Sequence, residues 1–350
     1  MKIIRTGLVG FGISAKVFHA PFIVQHPGFE LSCVLERNRN ESKELYPDVT
    51  IVRNLEDLLR QDIDLVVITT PNETHFPYAV KSLEAGKYVV LEKPFTNTSE
   101  EARKLVEYSN AAEQFISVYQ NRRYVSDFLT IQDILNKNLL GDVHEFIARY
   151  DRYRIEARPN AWREKPLPGS GILYDLGPHL IDQALMLFGH PQAITADIRK
   201  QRSHAQVDDY FELWLEYGHL KVSLHAGMMA REMGPRYIVH GTSGSFVKYG
   251  EDPQEALLRA GVTPDTENWG AEDPSIYGLL HTEHNGSIIR EPYPSFRGNY
   301  GQYYANLYEA IIHGKEVLEK PEHGYNTIKI IEAAVESAET GKKTEVVGLL

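Results

Sequence analysis

The chain has 350 residues, of which 42% are hydrophobic and 24% are charged, values typical of a globular protein of about two domains. Its formal net charge of −11, with no basic block to offset it, argues against a nucleic-acid or anionic-membrane binder. Without a signal-like N-terminus or an apolar span of about 18 residues, the chain is expected to be cytoplasmic. The single cysteine, Cys33, lies in an apolar run and is expected in a core strand.

The N-terminus carries a dinucleotide-binding pattern. A strand predicted over Ile3–Val9 runs into Gly10-x-Gly12-x-x-Ala15, where a helix over Ala15–Val24 is expected to begin. Gly10 permits a tight bend, Gly12 lets the backbone approach a pyrophosphate, and Ala15 lets the helix pack closely on the strand. A purely structural strand–helix turn is the alternative. The residues predicted to contact the cofactor at this turn are Gly10, Phe11, Gly12, Ile13, Ser14 and Ala15.

Apolar runs then alternate with helical patterns, which predicts a parallel sheet with right-handed crossovers. The further strands predicted are Phe29–Leu35, Ile51–Val52, Leu65–Thr69, Tyr88–Leu91 and Phe115–Tyr119. The helices predicted between them are Leu55–Leu59, Phe76–Ala85 and Ser99–Asn110. Asn54 and Ser99 are expected to open two of these helices, and Gly86 to end a third.

Ligands of such sheets bind beyond the carboxyl ends of the strands. At the end of the second strand, Glu36 would accept hydrogen bonds from the adenosine ribose hydroxyls, which favours NAD. Arg37 beside it could pair with a 2′-phosphate, which favours NADP. A solvated Glu–Arg pair is the third interpretation, so the sequence predicts NAD or NADP without deciding between them.

Two further strand ends offer polar groups. The segment Thr69–Asn72 presents hydroxyl and amide groups, and His75 after it either contacts the cofactor or caps the following helix. Glu92-Lys93-Pro94 follows the strand Tyr88–Leu91, and a lysine held there by proline is expected to point towards the cleft rather than into solvent. The residues predicted to contact the cofactor at these ends are Thr69, Thr70, Pro71, Asn72, His75, Glu92, Lys93 and Pro94. Gln120, directly after the strand Phe115–Tyr119, is predicted as a further cofactor contact.

The second half of the chain reads differently, because its strands cluster without helices between them. This predicts an antiparallel or mixed sheet, whose open face is a candidate oligomer interface. Gly218-His219 is expected to be a hairpin turn. The predicted elements are the helix Asp127–Asn136 and the strands Val143–Asp151, Ala193–Arg199, Tyr210–Tyr217, Leu220–Ala226 and Tyr237–Gly241.

Residues 169–189 form a helical pattern with an acid–base pair. Asp175, His179 and Asp182 stand at positions i, i+4 and i+7, hence on one face. Pro178 would interrupt this helix unless its regular part begins near Asp175. An Asp–His pair provides a base oriented by a carboxylate, suited to removing a hydroxyl proton. A buried structural pair is the main alternative, and a metal site lacks a convincing third ligand, so no metal is predicted.

The glycine turn, Glu92-Lys-Pro94 and Asp175-x-x-x-His179 together resemble the Gfo/Idh/MocA family of glucose–fructose oxidoreductases and inositol dehydrogenases, over nearly the whole chain. The segment 14–23 is similar to the branch that contains NADP-dependent scyllo-inositol dehydrogenases. The resemblance implies an α/β fold with a Rossmann domain, a doubly wound parallel sheet, at residues 1–122. It also implies a C-terminal α/β domain at residues 123–350, with a large, mainly antiparallel open sheet that makes dimer or tetramer contacts.

The implied activity is reversible hydride transfer between a secondary alcohol of a sugar or cyclitol and NAD or NADP, in the cleft between the domains. Lys93 would hydrogen-bond the reacting oxygen, His179 would be the general base, and Asp175 would orient substrate or His179. The candidates for further substrate or nicotinamide contacts are Tyr153, Arg154, Trp162 and Arg163. Phe296, Tyr300, Tyr303 and Tyr304 either border the pocket or belong to the core. The alternatives are a non-catalytic NAD(P)- and sugar-binding sensor, or reduction of another substrate such as an imine.

Overall fold

The structure is a computed structural model that describes residues 2–156, 162–284 and 286–350. Within these ranges the chain forms fifteen β-strands and ten α-helices. The strands are β1 (Ile4–Val9), β2 (Phe29–Leu35), β3 (Thr50–Val52), β4 (Leu65–Ile68), β5 (Tyr88–Leu91), β6 (Ile116–Val118), β7 (Val143–Arg149), β8 (Ala193–Arg199), β9 (Tyr210–Tyr217), β10 (Leu220–Gly227), β11 (Tyr237–Gly241), β12 (Gly244–Lys248), β13 (Gly278–His284), β14 (Ser287–Tyr293) and β15 (Thr344–Glu345). The helices are α1 (Ala20–Gln25), α2 (Glu41–Leu45), α3 (Leu55–Leu59), α4 (His75–Glu84), α5 (Ser99–Ala111), α6 (Ser126–Asn136), α7 (Ile172–Phe188), α8 (Gln254–Arg259), α9 (Gly301–His313) and α10 (Pro321–Thr340).

The chain divides into two compact units, and the first comprises Met1–Tyr124, Gln254–Trp269 and Asn299–Tyr325. Its sheet has six strands in the order β3-β2-β1-β4-β5-β6, and every adjacent pair is parallel. The central strands are buried on both faces, as apolar residues in succession require. This is the doubly wound Rossmann sheet that the sequence predicts, and the order reverses between β1 and β4.

The prediction of one continuous helix over Ala15–Val24 is wrong. The chain makes a single π-helical turn over Ala15–His19 and only then the α-helix α1. Pro21 lies in the first turn of α1, where its missing N–H and fixed φ are tolerated, whereas in a continuous helix it would remove an internal hydrogen bond. The wide turn therefore separates the glycine-rich segment from α1.

Side-chain caps set two helix starts in the first unit. Asn54 accepts a hydrogen bond from the backbone N–H of Asp57 (2.8 Å), as predicted. The predicted cap at Ser99 is wrong by one residue, because Thr98 caps α5 by accepting from the N–H of Glu101 (3.2 Å). Gly86 follows α4 with φ +70°, a conformation that glycine adopts without strain.

The second unit comprises Val125–Pro253, Gly270–Gly298 and Asn326–Leu350. Its nine-stranded sheet has the order β14-β13-β12-β11-β7-β10-β9-β8-β15. Only β7 and β10 pair in parallel, so the sheet is mainly antiparallel, which confirms the predicted fold class. β9 and β10 are joined at Gly218 (φ +73°), the predicted hairpin turn.

Helix α7 begins at Ile172, three residues before the start that Pro178 suggests. Asp208 fixes this start from outside the helix: its backbone oxygen accepts from the N–H of Ile172 (3.0 Å), and its carboxylate accepts from the N–H of Leu173 (2.7 Å). Pro178 consequently lies inside the helix, and the expectation that regular helix begins near Asp175 is wrong. Burial of the apolar face of α7 compensates for the hydrogen bond that proline cannot donate.

Within the described ranges, no helix is both long enough and apolar enough to span a membrane.

Candidate active site

The glycine turn in the first unit has the geometry of a dinucleotide-binding turn. Gly10 has φ +90°, and a Cβ added there would lie 3.0 Å from Thr70 Cγ2. A Cβ at Gly12 would meet no atom within 4 Å, so the space outside this residue is open to a ligand. Ile13 is 60% exposed although it is apolar, whereas Ala15 is fully buried under the turn. These features fit a nicotinamide dinucleotide against the backbone of residues 10–14.

Phe11 and Ser14, the other predicted contacts of the turn, differ from each other. Phe11 is 9% exposed, and its ring packs edge-on against that of Tyr46 with 6.3 Å between the ring centroids, so its side chain belongs to the core. The Ser14 hydroxyl donates a hydrogen bond to the Glu92 carboxylate. Ser14 therefore links the glycine turn to the segment that carries Lys93.

Glu36 does not present its carboxylate to a ligand. It is 6% exposed, and its Oε1 accepts from the backbone N–H (2.8 Å) and hydroxyl (2.5 Å) of Ser42, while Oε2 accepts from the N–H of Glu41 (3.1 Å). The carboxylate thus caps the N-terminus of α2, a short helix that the sequence analysis missed. The prediction that Glu36 binds ribose hydroxyls is at odds with these contacts.

Arg37, next to Glu36, is exposed. Within the part of the chain that the structure describes, it forms neither an ion pair nor a hydrogen bond through its guanidinium. Arg53 stiffens the same loop, because its guanidinium donates to the backbone oxygens of Glu36 and Arg39 (both 2.7 Å). The end of β2 therefore presents a cation, and its one acid is turned inwards.

The loop after β4 uses its polar groups mainly for its own structure. The Thr69 hydroxyl donates to the backbone oxygens of Val9 (3.0 Å) and Gly10 (3.3 Å), and the Thr70 hydroxyl pairs with that of Thr74 (2.6 Å). Pro71 precedes a 3₁₀ turn over Asn72–Thr74, and Asn72 is buried. Thr69 thereby fixes the backbone on which the glycine turn is built.

His75 is 1% exposed, and its two ring nitrogens each lie 2.9 Å from a backbone oxygen, Nδ1 from that of Pro94 and Nε2 from that of Thr70. Burial lowers the pKa of this imidazole, against the opposing effect of those carbonyls. Both functions predicted for His75, cofactor contact and helix cap, are therefore replaced by a third: the ring joins the loops that follow β4 and β5.

Lys93 is half-buried at the end of β5, and the Lys93–Pro94 bond is cis. Its backbone N–H donates to Glu92 Oε2 (2.9 Å), so the residue is held by the side chain before it. Burial alone would raise the pKa of Glu92, but the hydrogen bond and charge of His19, with Lys93 and Ser14, outweigh it and lower the pKa to about 2. Lys93 thus stands beside a permanently ionised carboxylate.

Gln120 provides a buried acceptor near the end of β6. The residue is 2% exposed, and in the described part of the chain its Oε1 has no hydrogen-bond partner. Leaving such an oxygen unpaired costs free energy unless a ligand or water donates to it. Gln120 accordingly fits its predicted contact with a cofactor.

The aromatic cluster named in the sequence analysis divides between core and surface. Tyr300, Tyr303 and Tyr304 are fully buried in the first unit, whereas Phe296 in the second is 45% exposed. Tyr303 donates to or accepts from the Ser117 hydroxyl (2.8 Å), and Tyr304 meets His19 (2.7 Å). The tyrosines therefore belong to the core, and the four residues do not form one cluster.

In the second unit, Asp175 and His179 lie one turn apart on α7. His179 is 5% exposed, and its ring lies 6.3 Å from that of Tyr150. Asp175 is half-buried and forms an ion pair with Arg163 (Oδ1–Nε 3.2 Å), whose guanidinium also lies over the ring of Trp162 at 4.8 Å. Arg163 therefore contacts two other predicted residues, Asp175 and Trp162.

A cavity of about 100 Å³ opens beside Asp175 in the second unit. Arg154, Trp162 and Arg163 line it with Asp175, whereas Tyr153 and His179 are not among its described lining residues. Tyr153 is instead 42% exposed and stacks on Arg231, with 4.1 Å between guanidinium carbon and ring. The structure brings together four of the six residues predicted for this part of the site.

Other residues, which the sequence did not predict as site residues, also line this cavity. Arg202 is 6% exposed and pairs with Asp209 (2.8 Å) and Glu164 (3.3 Å). Burial raises the pKa of Asp208 to about 6, although the N–H groups at the start of α7 oppose the shift. The doublet Asp208-Asp209 directly before strand β9 was the available signal, because Asp209 is 1% exposed and a buried carboxylate is almost always paired. No cluster of metal-ligating side chains occurs in the described residues.

The parallel Rossmann sheet, the open glycine turn and the unpaired Gln120 oxygen define a dinucleotide-binding Rossmann domain, the class that holds NAD or NADP in oxidoreductases. Residues 4–120 match the family model described as oxidoreductase family, NAD-binding Rossmann fold, and residues 133–346 match its C-terminal alpha/beta domain. The chain belongs to this family, the Gfo/Idh/MocA oxidoreductases, and the resemblance predicted from the sequence is confirmed.

Relatives match over nearly the full chain. The chain is 41% identical over 336 residues, 96% of its length and 94% of the relative's, to scyllo-inositol 2-dehydrogenase (NADP(+)) IolW of Bacillus subtilis. It is 42% identical over 336 residues, 96% of each chain, to the uncharacterized oxidoreductase YdgJ of Escherichia coli. The structure of yvaA from Bacillus subtilis superposes with a TM-score of 0.95 at 40% identity, covering 99% of each chain.

Proposed function

We propose that this protein catalyses the reversible oxidation of a secondary alcohol on a cyclitol or sugar, with NADP as the preferred cofactor. In the oxidation, His179 takes the hydroxyl proton, and Lys93 donates a hydrogen bond to the oxygen as it gains alkoxide character. Asp175 orients His179 or a substrate hydroxyl. A bound NADP would supply the acceptor for the hydride that leaves the carbinol carbon.

One observation carries this proposal: Lys93 is built on the same hydrogen-bonded frame as the glycine turn. Its N–H is held by Glu92, and the Glu92 carboxylate accepts from Ser14 in that turn. A lysine fixed at the end of β5 is suited to stabilise the negative charge that develops on the substrate oxygen as a hydride leaves. The chain also carries an Asp–His pair on α7 of the second unit, and a cationic donor and such a base are the two groups that alcohol–ketone chemistry needs.

The preference for NADP rests on the end of β2. An acid at this strand end disfavours a 2′-phosphate when its carboxylate faces the ribose. The Glu36 carboxylate instead accepts hydrogen bonds from the N-terminus of α2. Arg37 is exposed beside it and can pair with that phosphate. The name of the Bacillus subtilis relative, an NADP(+)-dependent scyllo-inositol 2-dehydrogenase, supports both this preference and a cyclitol substrate.

We further infer that residues 1–122 bind the cofactor and residues 123–350 bind substrate and form the oligomer contacts, in a cytoplasmic homodimer or homotetramer. The face of the nine-stranded sheet that carries Trp214 supports an interface, because this large aromatic is 39% exposed on a strand whose other face is core. Sedimentation velocity would give the mass of the assembly, and Trp214→Arg should dissociate it. A monomeric wild type would contradict this part.

The test of activity mixes the purified protein with NADP or NAD and a panel of inositols and aldoses, and follows absorbance of reduced nicotinamide. We expect turnover with NADP and at least one inositol, and slower turnover with NAD. Tight NADPH binding without turnover of any alcohol, or of the matching ketones in reverse, would contradict the proposal. The non-catalytic sensor finds no support in the relatives above, which are named as oxidoreductases.

A further inference from the structure

His19 is a fully buried imidazole for which the proposed reaction has no use. Its Nδ1 lies 2.7 Å from the Tyr304 hydroxyl, and its Nε2 lies 3.1 Å from Glu92 Oε1. The ring packs against Tyr119 with 4.1 Å between centroids. Each ring nitrogen therefore has a defined partner, and the imidazole joins the aromatic core of the first unit to Glu92.

The π-helical turn delivers His19 to this place. In that turn the N–H of Ala20 reaches back to the oxygen of Ala15, the bond of a π-helix, instead of to the oxygen of Lys16 as in an α-helix. The Tyr119 hydroxyl donates to the backbone oxygen of Phe18 at 2.6 Å and so anchors the turn to the aromatic core. Single π turns inside helices are rare and occur often at functional sites, so the turn itself points to a function for the side chain that it displaces.

Glu92 is the point at which these contacts converge. Oε1 accepts from the Ser14 hydroxyl and lies beside His19 Nε2, while Oε2 accepts from the backbone N–H of Lys93. The carboxylate cannot rotate without losing contacts on both oxygens. Its orientation, and with it the backbone of Lys93, is thus fixed from the glycine turn on one side and from His19 on the other.

We propose that His19 is a positioning residue that orients Glu92, and through it Lys93, for reaction. The inference rests on the proposed function insofar as Lys93 acts on the substrate oxygen. His19 itself touches neither cofactor nor substrate in this proposal. Its hydrogen bond to Glu92 should matter for turnover, and its hydrogen bond to Tyr304 should matter only for stability.

Two amide replacements separate these bonds. The amide nitrogen of His19→Gln can reach the position of Nε2 and donate to Glu92, whereas that of His19→Asn matches Nδ1 and meets only Tyr304. We expect His19→Asn to lower kcat roughly 10- to 100-fold, as misplacement of a reacting group does, with the Kd for NADPH changed less than threefold. His19→Gln should keep kcat within about threefold of wild type.

Tyr304→Phe is the matched control, because it removes the other bond of His19 and leaves the ring in the core. It should reduce the thermal midpoint while kcat stays near wild type. If kcat instead falls equally in His19→Gln, His19→Asn and Tyr304→Phe, in step with their loss of stability, the residue is merely structural and the proposal is overturned.

A second readout needs no turnover and covers the case in which the proposed reaction itself fails. Reductive methylation with ¹³C-formaldehyde labels the lysines, and the Lys93 resonance is the one that is lost in Lys93→Arg. The chemical shift of Lys93, recorded without substrate, should differ from the wild-type value in His19→Asn and in Ser14→Ala, a substitution at a half-buried position. In His19→Gln it should equal the wild-type value. An unchanged Lys93 resonance in both His19→Asn and Ser14→Ala overturns the positioning role, whatever substrate the enzyme uses.

Discussion

The Glu36 carboxylate and the Ser42 backbone N–H lie 2.8 Å apart, and this hydrogen bond turns the one acid at the end of β2 away from solvent. We expect Glu36→Ala to lower the free energy of unfolding by about 1–2 kcal/mol, because α2 loses its cap. The ratio of the Kd values for NADPH and NADH should stay within twofold of the wild-type ratio. A ribose-binding Glu36 predicts the opposite, since its removal would tighten NADPH selectively. Urea unfolding and fluorescence titration measure the two quantities.

Arg37→Ala should weaken the binding of NADPH about 10- to 100-fold and that of NADH less than threefold, because only NADPH offers the 2′-phosphate with which the guanidinium pairs. Arg60→Ala is the control, since Arg60 is an exposed arginine paired with Asp57 at 2.9 Å. Isothermal titration with both reduced cofactors decides the matter. Equal weakening of both cofactors would show that Arg37 supports the loop and not the phosphate.

Lys93→Met should lower kcat roughly 10²- to 10³-fold, the loss typical of a donor to a developing oxyanion, while NADPH binding changes little. Lys81→Met serves as the control, because Lys81 is an exposed lysine paired with Glu56. Steady-state kinetics with cofactor titration separates the effects. Retained turnover in Lys93→Met would remove the assigned function of this residue.

His179→Ala should lower kcat by about 10²- to 10⁴-fold near neutral pH, where a neutral imidazole is most useful as a base. The acid limb of the pH–rate profile for alcohol oxidation should flatten in the variant. His219→Ala, on the exposed turn between β9 and β10, should leave the profile unchanged. A His179→Ala profile with the wild-type shape contradicts general-base catalysis by this residue.

Burial raises the pKa of the Cys33 thiol to about 12 from an ordinary value of 9.0, so the native thiol stays protonated at pH 8. Ellman's reagent should titrate no thiol in the native protein and one after denaturation. Between about pH 9 and 12 the folded state holds more protons than the unfolded state, so stability should fall as pH rises. Buried tyrosines such as Tyr174, whose pKa burial raises to about 12, add to that slope, so Cys33→Ala should make it shallower without abolishing it. Rapid labelling of the native thiol would contradict the assignment.

The sequence predicted most closely the strands whose two ends are marked by the types of the neighbouring residues. The bounds of β2, β5, β8 and β9 coincide with those predicted, because short apolar or alternating runs end there at a charged residue or glycine. The strand β14 escaped prediction because it carries mostly exposed residues. The strand β13 alternates, with Leu280 and Thr282 buried, and its pattern was overlooked.

The parts of the site that were missed depend on side-chain partners that no local pattern of residue types reveals. Glu36 reads as a ribose ligand until Ser42 is seen to take its carboxylate. His19 is unremarkable in the sequence because its partners Glu92 and Tyr304 lie 73 and 285 positions away. Asp175 and His179 were recognisable because i, i+4 spacing on a helix is itself a local signal.

The first unit is completed by segments that come much later in the sequence than the strands of its sheet. Tyr303 on α9 meets Ser117 (2.8 Å), the Tyr308 hydroxyl donates to the oxygen of Lys2 (3.0 Å), and the Glu319 oxygen accepts from the N–H of Val118 (2.9 Å). During synthesis, β1–β6 leave the ribosome with these partners still untranslated. The usual order, in which the N-terminal domain finishes folding first, is therefore barred to this protein. The cofactor-binding unit matures only after most of its neighbour has been made.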